Sequence, residues 1–192
     1  MRIPYKHTIF FILLLAGLLV FGCSNDSDLL GPEPGAYKFS ASPDILMENF
    51  QKAYTAMDLD GYGRLLHEDF IFSFKACDVE KLGLSQDHFT RKDELITAEH
   101  MFARKAYVKS SGQVVAPILA IEFQRFERDG DWITMNDPDK PGLLKGIYQV
   151  DIIMDRGTEG FLSIRGTCVF FAVGSASAGY QLIGWVDRTG GC

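Results

Sequence analysis

Acid–base chemistry needs a carboxyl or phenol group held among apolar neighbours. Three residues of this chain are placed for it: Tyr54, Asp69 and Asp151. Tyr54 adjoins an apolar set at helical spacing. Asp69 stands just before an aromatic run, where an acid equally suits a turn or a cap. Asp151 lies between Val150 and Ile152. It shares strand parity with Lys145, Ile147 and Gln149, a mixed face, whereas Leu144, Tyr148, Val150, Ile152 and Met154 form an apolar one. That parity puts Asp151 on the outer face of a sheet. His7, His67, His88 and His100 show no ligand spacing, and no Cys-x-x-Cys is present. No metal and no cofactor is therefore expected. Gly-x-Ser-x-Gly, phosphate-loop and dinucleotide motifs are also absent from the sequence.

Composition narrows the classes further. The chain has 192 residues, 47% of them hydrophobic, and a net charge of −6. Such an apolar fraction excludes wholesale disorder. The acidic balance excludes a nucleic-acid partner held by electrostatics. Only one segment is continuously apolar, so a polytopic membrane protein is excluded as well.

That segment sits at the N-terminus. Arg2 and Lys6 precede an apolar run from Thr8 to Gly22, which is short for a spanning helix and suits the core of an export signal. It ends at Val20-Phe21-Gly22-Cys23, which resembles a bacterial lipobox. The resemblance implies cleavage before Cys23 and lipidation of that cysteine; an uncleaved anchor with an ordinary thiol is the alternative. Residues 1–22 are thus read as a lipoprotein signal and residues 23–41 as a flexible tether, rich in Asn, Asp, Ser, Gly and Pro. Localisation follows: a lipid-anchored protein of the bacterial cell envelope. Ser24 after the cysteine resembles sorting to the outer membrane, facing the periplasm in a diderm host. Export permits disulfides. Among Cys77, Cys168 and Cys192 the pairing stays open, with Cys77 and Cys192 the freer pair.

Residues 42–192 read as one domain. Ser42-Pro43 is a helix start. Leu46, Phe50, Ala53 and Met57 follow at helical spacing, with Tyr54 beside them. A short second helix covers Leu59 to His67, and a strand covers Asp69 to Phe74. Lys75 to Phe89 reads as an irregular insert. Thr90 caps a third helix, with Asp93 and Glu94 in its first turn, where acids suit the dipole, and with Leu95, Ala98, Phe102 and Ala106 as its stripe. Strands are expected at 118–128, 132–135, 143–155, 161–173 and 180–186. Helices first and antiparallel strands last make an α+β fold.

Residues 54–74, with Asp58-Leu59-Asp60-Gly61 between two helices and Asp69-Phe70 opening a strand, resemble the nuclear transport factor 2-like superfamily, which includes SnoaL-like cyclases and ketosteroid isomerases. Gly184-Trp185-Val186-Asp187 is similar to the last strand of many members. The resemblance implies a cone: three N-terminal helices packed in a curved antiparallel sheet. It also implies an interior pocket, here lined by Phe50, Tyr54, Tyr62, Phe72 and Phe74. The isomerase tyrosine and base fall on Phe50 and Phe74, which carry no transferable proton. No acid occurs between Phe161 and Val186. The reading is accordingly a non-catalytic lipoprotein that binds a small apolar ligand or an envelope partner. The alternative is a SnoaL-like enzyme using Tyr54, Asp69 and Asp151. The strand from Phe161 to Val173 is apolar at both parities and needs cover on both faces, so a homodimer through the outer sheet face is a further expectation.

Overall fold

The structure, a computed structural model, describes residues 37–109 and 112–190. Residues 1–22, read as an export signal, Cys23, most of the segment read as a tether and Cys192 lie outside the described residues. No helix among the described residues is long and apolar enough to cross a membrane.

Helix α1 spans Pro43–Ala56. Ser42 caps it by accepting the Ile45 N–H, and Met57 closes it in the left-handed conformation. Helix α2, Leu59–Leu65, is capped by Asp58, whose Oδ1 accepts from the Gly61 N–H at 3.0 Å while Oδ2 takes the Tyr37 hydroxyl at 2.6 Å. A Cβ at Gly61 would collide with both Tyr37 and the Asp58 carboxylate. The Asp-x-Asp-Gly sequence is thus a capping device. Strand β1, Leu66–Ser73, starts earlier than its pattern predicts, because the second helix stops at Leu65.

The stretch expected to be irregular contains helix α3, Ala76–Leu82, and strand β2, His88–Thr90. Helix α3 lacks a side-chain cap, which explains its weak sequence signal. Helix α4, Arg91–Phe102, opens on a complete Thr90–Asp93 capping box and ends before Ala106, which lies exposed beyond it. A small hairpin of β3, Tyr107–Val108, and β4, Val114–Val115, leads into β5, Ala120–Arg128. Strands β6, Ile133–Thr134, β7, Leu144–Asp155, β8, Phe161–Ser175, and β9, Gly179–Thr189, complete the chain.

The main sheet runs β2-β1-β9-β8-β7-β5, with β6 also on β7. Every pairing is antiparallel except β1 with β9, which is parallel, so the sheet is mixed. The helices between β1 and β9 permit that return. Register shifts in β1, β5 and β8–β9 bend the strands around the helices. Two glycines of β8 allow the close approach this bending needs. A Cβ on Gly166 would lie 2.8 Å from Thr189 Cα, and one on Gly174 2.8 Å from Tyr180 Cα. Along β7 burial alternates as the parity predicts: Gly146, Tyr148, Val150, Ile152 and Met154 turn inward.

Phe50 sits at the centre, 1% exposed, with Tyr54, Tyr62, Phe123, Phe126, Phe170 and Trp185 around it. On the outer face, Ile71, Phe171 and Ile183 share a depression with Lys140 and Leu143 of the β6–β7 connection. Part of the cover that β8 requires therefore comes from its own chain. Lys75 ties the end of the sheet to α3: its Nζ donates to the Thr189 and Gly190 carbonyls. Cys77, in α3, is disulfide-bonded, while Cys168 is a free buried thiol.

Ordered contacts begin ahead of Ser42. Asn49, 3% exposed, accepts the Lys38 N–H through Oδ1 and donates through Nδ2 to the Lys38 carbonyl and to Ser40 Oγ. Tyr180 N–H donates to the Ser40 carbonyl. Residues 37–40 are thus clamped to α1 and β9. Asn49→Ala should lower stability by about 1–3 kcal/mol and open the chain to proteolysis near Lys38. Equal denaturant midpoints and equal cleavage rates for the two forms would remove this role.

Candidate functional site

A cavity of about 200 Å³ remains between α4 and the inner face of the sheet. Its aromatic walls are Tyr54 from α1, Phe72 from β1, Phe74, Phe89 from β2 and Trp185 from β9. Ile152 and Met154 from β7 and Ile164 and Cys168 from β8 add aliphatic and thiol surface. The sequence makes this wall by simple alternation. Ile152 and Ile164 are direct cross-strand partners, as are Tyr148 and Cys168, so one strand parity faces the hole.

Two carboxyl groups line it, Glu94 and Asp187. Asp93 stays outside in the capping box, and the next residue is turned about 100° around the helix, which brings Glu94 onto the face of Ala98 and Met101. Glu94 is 5% exposed, and its Oε1 accepts the Tyr62 hydroxyl at 2.7 Å. The Tyr62 hydroxyl also pairs with that of Tyr54, and the two rings meet edge to face. Burial pushes the Glu94 carboxyl above its ordinary value of 4.5, against the smaller opposing effect of the Tyr62 bond. Burial, and then the nearby Glu94 charge, keep Tyr54 neutral; Tyr62 is raised by burial, then by Tyr54 and Glu94. Burial pushes the Cys168 thiol up to about 12, so it is no nucleophile here. Asp187 Oδ1 accepts the Thr189 N–H at 2.7 Å, which orients that carboxylate at the end of β9.

Of the residues read as pocket lining, Tyr54, Phe72 and Phe74 do line the cavity. Phe50 and Tyr62 do not: both are packed solid beneath it, in the ring cluster around Phe50. Of the acid candidates, only Tyr54 reaches the cavity. Asp69 has a 72% exposed side chain beside His67. Asp151 lies on the outer face, where its Oδ2 pairs with Arg165 Nε at 2.9 Å. Among the described residues His67, Glu68 and Asp69 bring ligand atoms within 4.8 Å of one another. His67 Nδ1, however, already accepts the Asp69 N–H, and the group faces solvent away from the cavity. A larger groove of about 720 Å³ runs between α2 and α4. It is an open surface walled by Asp60, Arg64, Arg91, Lys92 and Glu99, and Arg91 there is engaged with the Gly63 and Leu66 carbonyls. The aromatic cavity, more recessed than this groove and mostly apolar, is the better ligand site.

Glu94, Asp187 and Phe89 escape the sequence reading. Glu94 is accounted for by the helix dipole, although its spacing to Ala98 and Met101 placed it on the inner side. Asp187 lies one residue past the span without acids, at the parity of Trp185. Phe89 falls within the stretch expected to be irregular.

No protein-family model and no curated protein matches the sequence. Solved structures do match in shape. A candidate scytalone dehydratase from Novosphingobium aromaticivorans is similar at a TM-score of 0.54 and 10% identity, over 78% of this chain and 82% of that one. A candidate dehydratase of the NTF2-like family from Streptomyces avermitilis is similar at 0.51 and 10% identity, over 77% of this chain and 92% of that one. The chain therefore has the NTF2-like, SnoaL-like cone fold.

A carboxyl group whose folded pKa is raised keeps its proton to higher pH in the folded chain than in the unfolded one. The stability associated with Glu94 is intact below its ordinary value of 4.5 and is lost as pH climbs through the folded value. Glu94→Gln cannot ionise, so as pH climbs above the ordinary value of 4.5 it should gain stability relative to the native chain. Urea melts across that range check the sign; parallel curves would refute the burial of a neutral Glu94.

Proposed function

We propose that the cone domain is a binding module for a small, largely apolar molecule, carried on a chain lipid-anchored through Cys23 in the bacterial envelope. The observation that supports it is the aromatic cavity of about 200 Å³, left open beside a core that is otherwise filled. A void of ~150 Å³ already accommodates a benzene ring. A single-ring molecule is therefore the size class for this one.

Glu94 favours a second reading, acid–base catalysis of the SnoaL-like type. A buried carboxyl whose pKa burial raises above its ordinary value, hydrogen-bonded to a tyrosine and facing an apolar hole, is suited to donate a proton. The two structural neighbours named above as candidate dehydratases make it worth testing. The outer-sheet homodimer or envelope-partner reading draws support from exposed apolar residues on the outer face, Phe161 of β8 at 75% and Ile71 of β1 at 37%.

Native mass spectrometry of the chain purified from its own host should reveal a bound small molecule. Ile164→Trp, which fills the cavity, should lose that molecule and keep the fold. An empty native chain, identical in mass to the variant apart from the substitution, would overturn the binding reading. Cys23→Ser should leave the membrane fraction; unchanged lipid labelling and unchanged sedimentation with membranes would overturn the anchor.

A further inference from the structure

The cavity lining is unbalanced in charge. Among the described residues it includes two carboxyl groups, Glu94 and Asp187, five aromatic rings, and no Lys, Arg or His. The chain has 19 Lys and Arg residues, so this wall is not short of cations because the protein is. An anion entering here would meet two acids and no donor cation. A neutral ring would leave both carboxyl groups without a partner of their own strength. A cation would gain ring faces as well as carboxylates, because aromatic quadrupoles attract positive charge. We propose that the ligand of this cavity is a small aromatic or alkyl amine, bound as its ammonium form. This rests on the reading of the cavity as a ligand site and specifies the ligand class.

The geometry assigns roles. The ring of the ligand packs among Phe72, Phe74, Phe89 and Trp185, whose centroids lie 4.7 to 6.4 Å apart in neighbouring pairs. The ammonium group faces Glu94, which the Tyr62 hydroxyl already orients. Asp187, held by the Thr189 N–H, supplies a second acceptor. Binding forms an ammonium–carboxylate pair at Glu94, itself 5% exposed, where such a pair is stronger than at the surface. The proton balance is explicit. Below the folded pKa of Glu94 the amine enters as R–NH₃⁺, Glu94 gives up its carboxyl proton to the buffer, and the complex holds R–NH₃⁺ against a carboxylate. The other titratable groups facing the cavity are Tyr54, Cys168 and Asp187. Burial holds Tyr54 and Cys168 protonated, so neither of them supplies the released proton, and the Glu94→Gln and Asp187→Asn variants assign it to Glu94.

The test is calorimetry on the full chain in zwitterionic nanodiscs, with empty nanodiscs as the blank. Benzylamine, benzyl alcohol and benzoate are the probes, matched in ring and near-matched in size. Benzylamine should bind about tenfold or more tighter than benzyl alcohol, and benzoate should not bind. In two buffers of different ionisation enthalpy at about pH 4.5, the ordinary value above which burial has pushed Glu94, benzylamine binding should release a proton. Glu94→Gln should abolish both the release and most of the preference, and Asp187→Asn should weaken the preference while retaining the release. Equal binding of benzylamine and benzyl alcohol would overturn the amine assignment and leave the hollow cone standing. Binding of none of the probes would overturn the amine assignment, and failure of Ile164→Trp to displace a native ligand would separately overturn the cavity reading.

Discussion

Everything in this fold is arranged around one buried ring. Phe50 is an α1 residue, yet its neighbours come from α2, β5, β8 and β9. Elements far apart in sequence must therefore curve until each delivers an aromatic side chain to the same point. Helix α1 alone cannot bury that ring, and a flat sheet could not surround it. Bulges and close-approach glycines in the long strands supply the bend. Truncating a ring so placed costs about 3–5 kcal/mol in other cores, a large fraction of what holds a domain this size together.

The same constraint creates the cavity. Rings packed edge to face around Phe50 fill one half of the cone, between α1 and strands β5, β8 and β9. In the other half the α4 residues turned to the cavity are Glu94, Thr97 and Met101, while Phe102, the ring of that helix, packs against Tyr54 and Tyr62 instead. A carboxyl group there cannot fill space as a ring would, and it needs a partner. Tyr62 is that partner, and through it the floor of the cavity is coupled to the packed core. Site and scaffold thus share residues: Tyr54 belongs to the Phe50 cluster with one edge and to the cavity wall with another.

Polarity is segregated across the sheet by the same alternation that builds the core. Asp151, Arg165, Gln149 and Arg125 occupy the outward parity of β5, β7 and β8, opposite Val150, Ile152 and Ile164. One step along a strand separates a solvent-side ion pair from the wall of the hole. An acid in a strand is therefore functional or structural according to register alone.

Local physics made much of this legible from the residues themselves. Ser42-Pro43, Asp58 with Gly61, and Thr90 with Asp93 mark helix starts by hydrogen bonds that span three residues, and the alternation of β7 assigned Asp151 to the outer face before any fold was known. Those signals act over a few residues, so the sequence carries them whole. The cavity was legible only in part. Tyr54, Phe72 and Phe74 line it, whereas Phe50 and Tyr62, with the same aromatic character and similar spacing, are packed solid. Glu94 looked like a dipole-matched acid in a first turn and proves to be buried against Tyr62, 32 residues away. Whether an inward side chain meets a neighbour or a void depends on how far apart two elements stand. That separation is set by strand bending, by the parallel return of β9 beside β1, and by the size of residues on the opposite wall, and only the tertiary structure brings those together.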